Sequence, residues 1–297
     1  MIFLVTLGTA NLHVDQRTPS FRGGLYLRRR VDEILVEHVA PLLLQLQHRG
    51  ALDRFFFVRY SLLGPHIRLR MSGDVAAAQA GVEELANTGH IEVRYVSYEP
   101  ETERYGGPRA LSVAEQVFHT SSEATLSLVK SSMTVRPRRL GQTALTMLLQ
   151  AQVFCDTPVR CAALLGRYHT SHTQIQSPGN SSLASWSARF ADAYSRQEAP
   201  FRAMVDDFCD RVNANDAFEE PLQSLALKLR DHRNELETLV RSKGVAVRSN
   251  PACDWDTCVE QIIPSYIHMT NNRLGVPPAE EALLAYMLSR AMQERIT

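Results

Sequence analysis

Three basic side chains alternate in GPHIRLR (residues 64–70): His66, Arg68 and Arg70. Strand alternation puts them on one face and Ile67, Leu69 and Met71 on the other. With about 3.3 Å of rise per residue, side chains two positions apart start about 7 Å from each other. Two planar guanidinium forks at that separation suit the carboxylates of a small diacid-like group, because each can bind bidentately. A solvent-facing side of a sheet accounts for the same alternation without any ligand.

YEPETERYGG (98–107) follows the last strand-like run and carries three glutamates and one arginine. Pro100 ends the strand, and Gly106-Gly107 permits a sharp change of direction. Glu101 and Arg104 then share one side of the turn at the mouth of the sheet, where Arg104 could complement Arg68 and Arg70. A surface salt bridge explains the pair equally well. SYIHMTNNRLG (265–275) places His268 shortly before Asn271, Asn272 and Arg273. Histidine is the usual proton-transfer group near neutral pH, yet a lone helical histidine also serves as a hydrogen-bonded structural residue. HTSSEAT (119–125) clusters hydroxyls with Glu123 and reads equally as a capping box at a helix start. His169 and His172, three apart, have no acidic companion at metal-ligand spacing, so no metal site is expected. Nucleotide-binding glycine motifs and a nucleophile elbow are absent from the sequence.

The elements that must position these residues follow from hydrophobic period. IFLVTL (2–7) is an apolar run of strand length, and residues 31–50 have helical spacing that stops at Gly50, with Pro41 as a kink site. Residues 54–60 and 66–71 read as strands joined in a hairpin through SLLGP. Residues 74–89 read as a helix behind the N-cap Asp74, and 90–98 as a strand. The order β-α-β-β-α-β predicts a ferredoxin-like antiparallel sheet with both helices on one face and the other face open to a ligand or a second layer. From about residue 109 the pattern is helical, with loops at 177–182 and 248–255. The fold class is therefore α+β: a sheet portion over 1–108 and a helical portion over 109–297, together forming one functional domain.

The 297 residues are enough to bury a substantial core, and 44% are apolar against 22% charged. Thirty-two basic and 32 acidic side chains cancel, which argues against a surface devoted to nucleic acid. The opening MIFLVTL is short and has no positive charge before it, so it reads as a strand rather than a signal peptide. Five cysteines without a CxxC pair suit a reduced, cytoplasmic protein.

Taken together and in this order, FFFVRYSLLGPHIRLRM, YEPETERYGG, AEQVFHTSSEAT and HMTNNRLG resemble one family. It is the C-terminal glutamate-elimination domain of LanB-type lanthipeptide dehydratases, found also as stand-alone proteins in thiopeptide and related peptide-antibiotic pathways. The resemblance runs from about residue 31 to residue 290 and is weaker over the first thirty. It implies a lyase without cofactor that removes glutamate from a glutamylated Ser or Thr of a precursor peptide, leaving dehydroalanine or dehydrobutyrine. It also implies a separate glutamyl-tRNA-dependent enzyme that installs the ester, since this chain is too short to hold a glutamylation region. A homodimer is compatible with it; membrane and direct nucleic-acid partners are not expected. Carried over residue by residue, the resemblance makes Arg68 and Arg70 substrate-binding, with His66 beside them. It makes Glu101, Arg104 and His268 catalytic. Tyr105 and Asn272 are the candidates for holding enolate charge.

Two other readings compete. A thiopeptide pyridine synthase would join two dehydroalanines and expel the leader peptide, but it is expected to depart from the HxRxR and RYGG motifs that stand intact here. A non-catalytic subunit that binds precursor peptide would have no need of all five carried-over site residues.

Overall fold

The computed structural model describes residues 2–9, 30–61, 64–89, 91–176, 180–214, 216–247 and 253–296. Residues 10–29, Leu62 and Leu63 of the hairpin turn, and parts of the loops expected at 177–182 and 248–255 lie outside them. The sheet holds β1 (Ile2–Thr9), β2 (Leu52–Tyr60), β3 (His66–Gly73) and β4 (Ile91–Tyr95). Their spatial order is β2-β3-β1-β4, every pair antiparallel, which is the split arrangement expected from the sequence. The crossover from β1 to β2 winds as a π-helix over Ile34–Val39 and continues as α1 (Ala40–His48). Pro41 sits in the first turn of α1, where its missing N–H breaks no α-helical bond, so the expected kink is a change of winding instead. Asp74 caps α2 (Val75–Asn87) through Oδ1, which accepts from Ala76 N at 2.9 Å and Ala77 N at 3.1 Å.

Alternation on β3 sorts the sheet faces. Ile67, Leu69 and Met71 are buried together with Phe55 and Phe57 beneath α1 and α2. His66, Arg68 and Arg70 are half-buried on the opposite face. Phe56 of β2 joins a second core made of the helices. These are α3 (Pro108–Ser132), α4 (Arg136–Phe154), α5 (Pro158–Gln176), α6 (Asn180–Ser195), α7 (Glu198–Ala214), α8 (Leu222–Arg241), α9 (Trp255–Leu274) and α10 (Pro278–Ile296). Between the two expected loops, residues 180–214 form two helices, with Pro200 in the first turn of the second, where a proline is tolerated.

The free edge of β2 fixes how the two layers join. Its outward backbone groups fall on alternate residues, and helix side chains meet both groups of Phe57 and Arg59 and, by the tautomer of His119, one of the two of Phe55. His119 Nδ1 lies 3.3 Å from Phe55 N and 3.0 Å from Phe55 O. Phe57 N donates to Ser122 Oγ at 3.3 Å, and Arg273 Nε donates to Phe57 O at 2.8 Å. Arg59 N donates to Asn272 Oδ1 at 2.8 Å, while Asn272 Nδ2 donates back to Arg59 O at 3.0 Å. Each group left unpaired here would cost about 1–3 kcal/mol, against a net gain near 1 kcal/mol when paired. HTSSEAT is therefore the middle of α3 and part of this seam, not a helix start.

A buried ionic cluster reinforces the joint. Asp32 pairs with Arg59 at 2.6 Å and Arg139 at 3.0 Å. The two guanidiniums also donate to the last carbonyls of α9, Arg273 O at 2.8 Å and Leu274 O at 2.7 Å. Cations at a helix C-terminus are favoured by its dipole, so this cluster seats the end of the helix that carries His268.

Candidate active site

Arg68 and Arg70 lie on aromatic rings rather than against carboxylates. The Arg68 guanidinium is 3.9 Å from the Tyr60 ring centre, and His66 stacks on the same ring at 5.5 Å. Arg70 is 4.7 Å from the Tyr98 ring and 5.2 Å from the Phe56 ring. Neither arginine has an ion-pair partner among the described residues, and the Nε of each is buried without a hydrogen bond. Rings hold a guanidinium in place by cation–π attraction while leaving its donors unspent. Tyr98 is itself fixed by donating to Glu115 Oε1 at 2.8 Å; burial first, then Glu115, pushes its phenol well up, so it remains neutral.

The TERY segment forms a 3₁₀ turn (Thr102–Tyr105) that sets Glu101 and Arg104 three apart, bridged Nη1 to Oε2 at 2.8 Å. Gly106 follows at φ +88° in the left-handed region, and a Cβ there would lie 2.8 Å from both Ile262 Cδ1 and Val245 Cγ1. The Gly-Gly break is therefore required by backbone conformation and by close packing on α9. Arg104 also donates from Nε to Ser265 Oγ at 3.1 Å. Ser265 and His268 are three apart on α9, so they share a face one turn apart.

The buried ring of Tyr105 lies 5.7 Å from the Arg104 guanidinium. Its phenol is raised by burial and by Glu101, while Arg104, Arg273 and Arg70 act in the opposite direction. Arg70 and Arg104, 34 positions apart in the sequence, thus both act on this one phenol. Arg68 and His66 continue this face along β3 on Tyr60. Asn272, by contrast, has both ends of its amide on the Arg59 backbone.

Behind His268 stands a group that the sequence did not point to. His268 Nδ1 lies 3.1 Å from Glu281 Oε2, and Glu281 is fully buried in the first turn of α10. The same oxygen accepts from Tyr168 and, at 3.3 Å, from Asn271 Nδ2. His172 Nε2 is 3.9 Å away, and its ring is tilted on His268 at 5.5 Å. The histidine pair considered in the sequence does not form a unit: His169 Nδ1 lies 3.1 Å from Ala282 O, whereas His172 joins His268 and Glu281, their ligand-type atoms all within 4.8 Å of one another. The i, i+3 spacing of Ser265 and His268 was the available signal for the first part of this cluster; nothing marked Glu281 as more than an acid near a helix start.

Known proteins share the family and the fold. A family model described as "Lantibiotic biosynthesis dehydratase C-term" matches residues 24–292. The subtilin biosynthesis protein SpaB of Bacillus subtilis is 30% identical over 115 residues, which are 36% of this chain and 11% of that protein. The chain thus aligns with only a small part of that relative's length. Among solved structures, the tRNA-dependent lantibiotic dehydratase MibB from Microbispora sp. 107891 matches 99% of this chain with 28% of its own, at TM-score 0.64 and 21% identity. TbtD, a pyridine synthase from thiomuracin biosynthesis, matches over 99% of this chain and 98% of its own, at TM-score 0.66 and 12% identity. At such identities these likenesses show a shared fold. The family match spans both the cationic sheet face and the helix that bears His268, and the chain belongs to the C-terminal family of lantibiotic biosynthesis dehydratases.

Proposed function

We propose that this protein is a lyase that removes glutamate by β-elimination from glutamylated Ser or Thr residues of a precursor peptide. It acts as the elimination component of a split dehydratase, and a separate glutamyl-tRNA-dependent enzyme supplies the ester. The observation that carries this reading is the pair Arg68 and Arg70, held on aromatic rings with no acid partner among the described residues, while Arg104 bonds to Ser265 on the helix of His268.

A glutamyl ester presents a side-chain carboxylate and an amine, and its ester carboxyl becomes the leaving carboxylate. Arg68 and Arg70 bind the side-chain carboxylate, and Arg104 stabilises charge that grows on the leaving one. Glu101, already paired with Arg104, keeps that guanidinium aligned and lies near enough to meet the amine. His268 takes the Cα proton; the electron pair of the broken Cα–H bond becomes the Cα–Cβ double bond as the Cβ–O bond breaks and glutamate departs with that bond's pair. A carboxylate leaves readily, so the removal of the weakly acidic Cα–H is the harder step and sets the demand for a well-placed base.

The test is incubation of the purified protein with a purified glutamylated precursor peptide. Release of free glutamate with an alkene-bearing peptide supports elimination. Inertness toward the ester, together with cyclisation of an already dehydrated peptide, establishes the pyridine synthase reading, which the fold shared with TbtD keeps in contention. Tight peptide binding with neither reaction establishes a carrier subunit.

A further inference from the structure

We propose that Glu281 is a positioning residue for the elimination: it holds His268 by Nδ1 and so reserves Nε2 for the Cα proton. The inference rests on the reaction proposed above and adds a residue that none of the carried-over motifs contains.

Three observations converge on it. Glu281 is fully buried, yet its Oε2 gathers Tyr168, Asn271 and His268, the last at 3.1 Å. Tyr168 is pushed well up by burial and by Glu281 itself, so it remains a phenol and donates; Asn271 donates through Nδ2. An oxygen already accepting from two neutral donors is an acceptor for the third contact, so Nδ1 of His268 carries the hydrogen and Nε2 the lone pair. No described residue bonds to that Nε2, and the His268 side chain is 28% exposed where Glu281 is 1%.

The second histidine does not compete. His172 is pulled down by burial, with Glu281 opposing and His268 adding to the decrease, so its ring is neutral near pH 7. Its Nδ1 meets Tyr168 O at 3.1 Å, an acceptor only, so it too is Nδ1-protonated. Glu281 is therefore left to stabilise the imidazolium that forms on His268 as the proton is taken. The other charged group that reaches this cluster is Arg104, which acts on both Tyr168 and His172. A carboxylate behind a histidine fixes its tautomer and stabilises its charged form, the role such carboxylates have in catalytic triads generally.

The experiment compares the parent with Glu281→Gln and His172→Gln on the glutamylated peptide, with folding followed by circular dichroism. Glu281→Gln is expected to lower kcat about 10²–10³-fold with KM within about threefold, because the lost interaction matters only as charge develops. His172→Gln stays within about fivefold in kcat. A Glu281→Gln protein with parental kcat overturns the proposal. Should that variant fail to fold, nitrogen-15 NMR of histidine-labelled parent protein decides instead. An Nδ1-protonated His268 supports the inference, and an Nε2-protonated ring overturns it. If the parent itself eliminates no glutamate, the reaction reading falls, and the same spectrum still decides whether Glu281 holds Nδ1.

Discussion

Arg104 donates through Nε to Ser265 at 3.1 Å, and Ser265 precedes His268 by three residues on α9. One hydrogen bond thus links a turn after the sheet to the helix bearing His268, across 161 positions of sequence. Nη1 is engaged by Glu101, which leaves Nη2 without a described partner. In Arg104→Lys the charge survives but a single ammonium cannot reproduce the fork, so kcat/KM for the glutamylated peptide falls by about 10² or more. Ser265→Ala keeps the charge and the Glu101 bond and costs about tenfold or less. Steady-state kinetics check both, and near-parental activity in Arg104→Lys contradicts the assigned role.

Arg70 sits between Tyr98 and Phe56 with its donors unspent. If it binds the side-chain carboxylate of the glutamyl group, that contact is made before and during the reaction alike. Arg70→Gln therefore raises KM by about tenfold or more and changes kcat less, the mark of uniform binding. A peptide esterified with glutamine in place of glutamate provides the control. The parent discriminates against it, and Arg70→Gln loses most of that discrimination. Equal selectivity in the two proteins would count against carboxylate recognition at Arg70.

Asn272 uses both ends of its amide on the Arg59 backbone. Asn272→Ala leaves an N–H and a C=O of the β2 edge unpaired, at about 1–3 kcal/mol each. The midpoint of urea unfolding falls accordingly, while kcat of the folded fraction at 10 °C stays within about threefold. A loss of kcat far beyond the loss of folded protein would instead return Asn272 to the substrate, as the motif alone suggested.

Stability is expected to plateau between about pH 6.5 and pH 9. Burial pulls His119, His169, His172 and His232 below their ordinary 6.5. The unfolded chain then binds more protons below that value, and stability is lost as pH falls from 6.5 through the folded values. On the other side burial pushes up all five thiols from 9.0, Cys155 to about 11. It does the same to Tyr98, Tyr105, Tyr168, Tyr194 and Tyr266 from 10.0. These groups hold their protons longer when folded, so their contribution is complete below pH 9 and lost as pH rises above it. Arg273, pulled down to about 9 by burial, contributes in the opposite sense, but it is one group against ten. Scanning calorimetry in reducing buffer from pH 5 to pH 10.5 checks the shape; a Tm still rising between pH 9 and 10.5 contradicts it.

Sequence period settled the sheet. The alternation of His66, Arg68 and Arg70 with Ile67, Leu69 and Met71 survives unchanged because one face of β3 must bury its apolar residues, and a one-residue slip would bury the arginines instead. Asp74 and Gly106-Gly107 were equally legible, since capping and left-handed backbone demand particular residue types within a few positions. The β-α-β-β-α-β order was enough to anticipate the strand arrangement.

Period says nothing about which helix face meets which neighbour. HTSSEAT read as a helix start because its hydroxyls suit a cap; in α3 they are buried, and Ser122 covers a strand edge that exists only once β2 has taken its place. The same packing turned Asn272 toward Arg59, joined His172 to His268 rather than to His169, and put Glu281 behind them both. Local sequence fixed the residues available for chemistry and the strand that displays the cations. Only the docking of α9 and α10 on the rest decided which histidine acquires a buried carboxylate, because contacts between distant segments depend on how whole faces pack and leave no spacing to read.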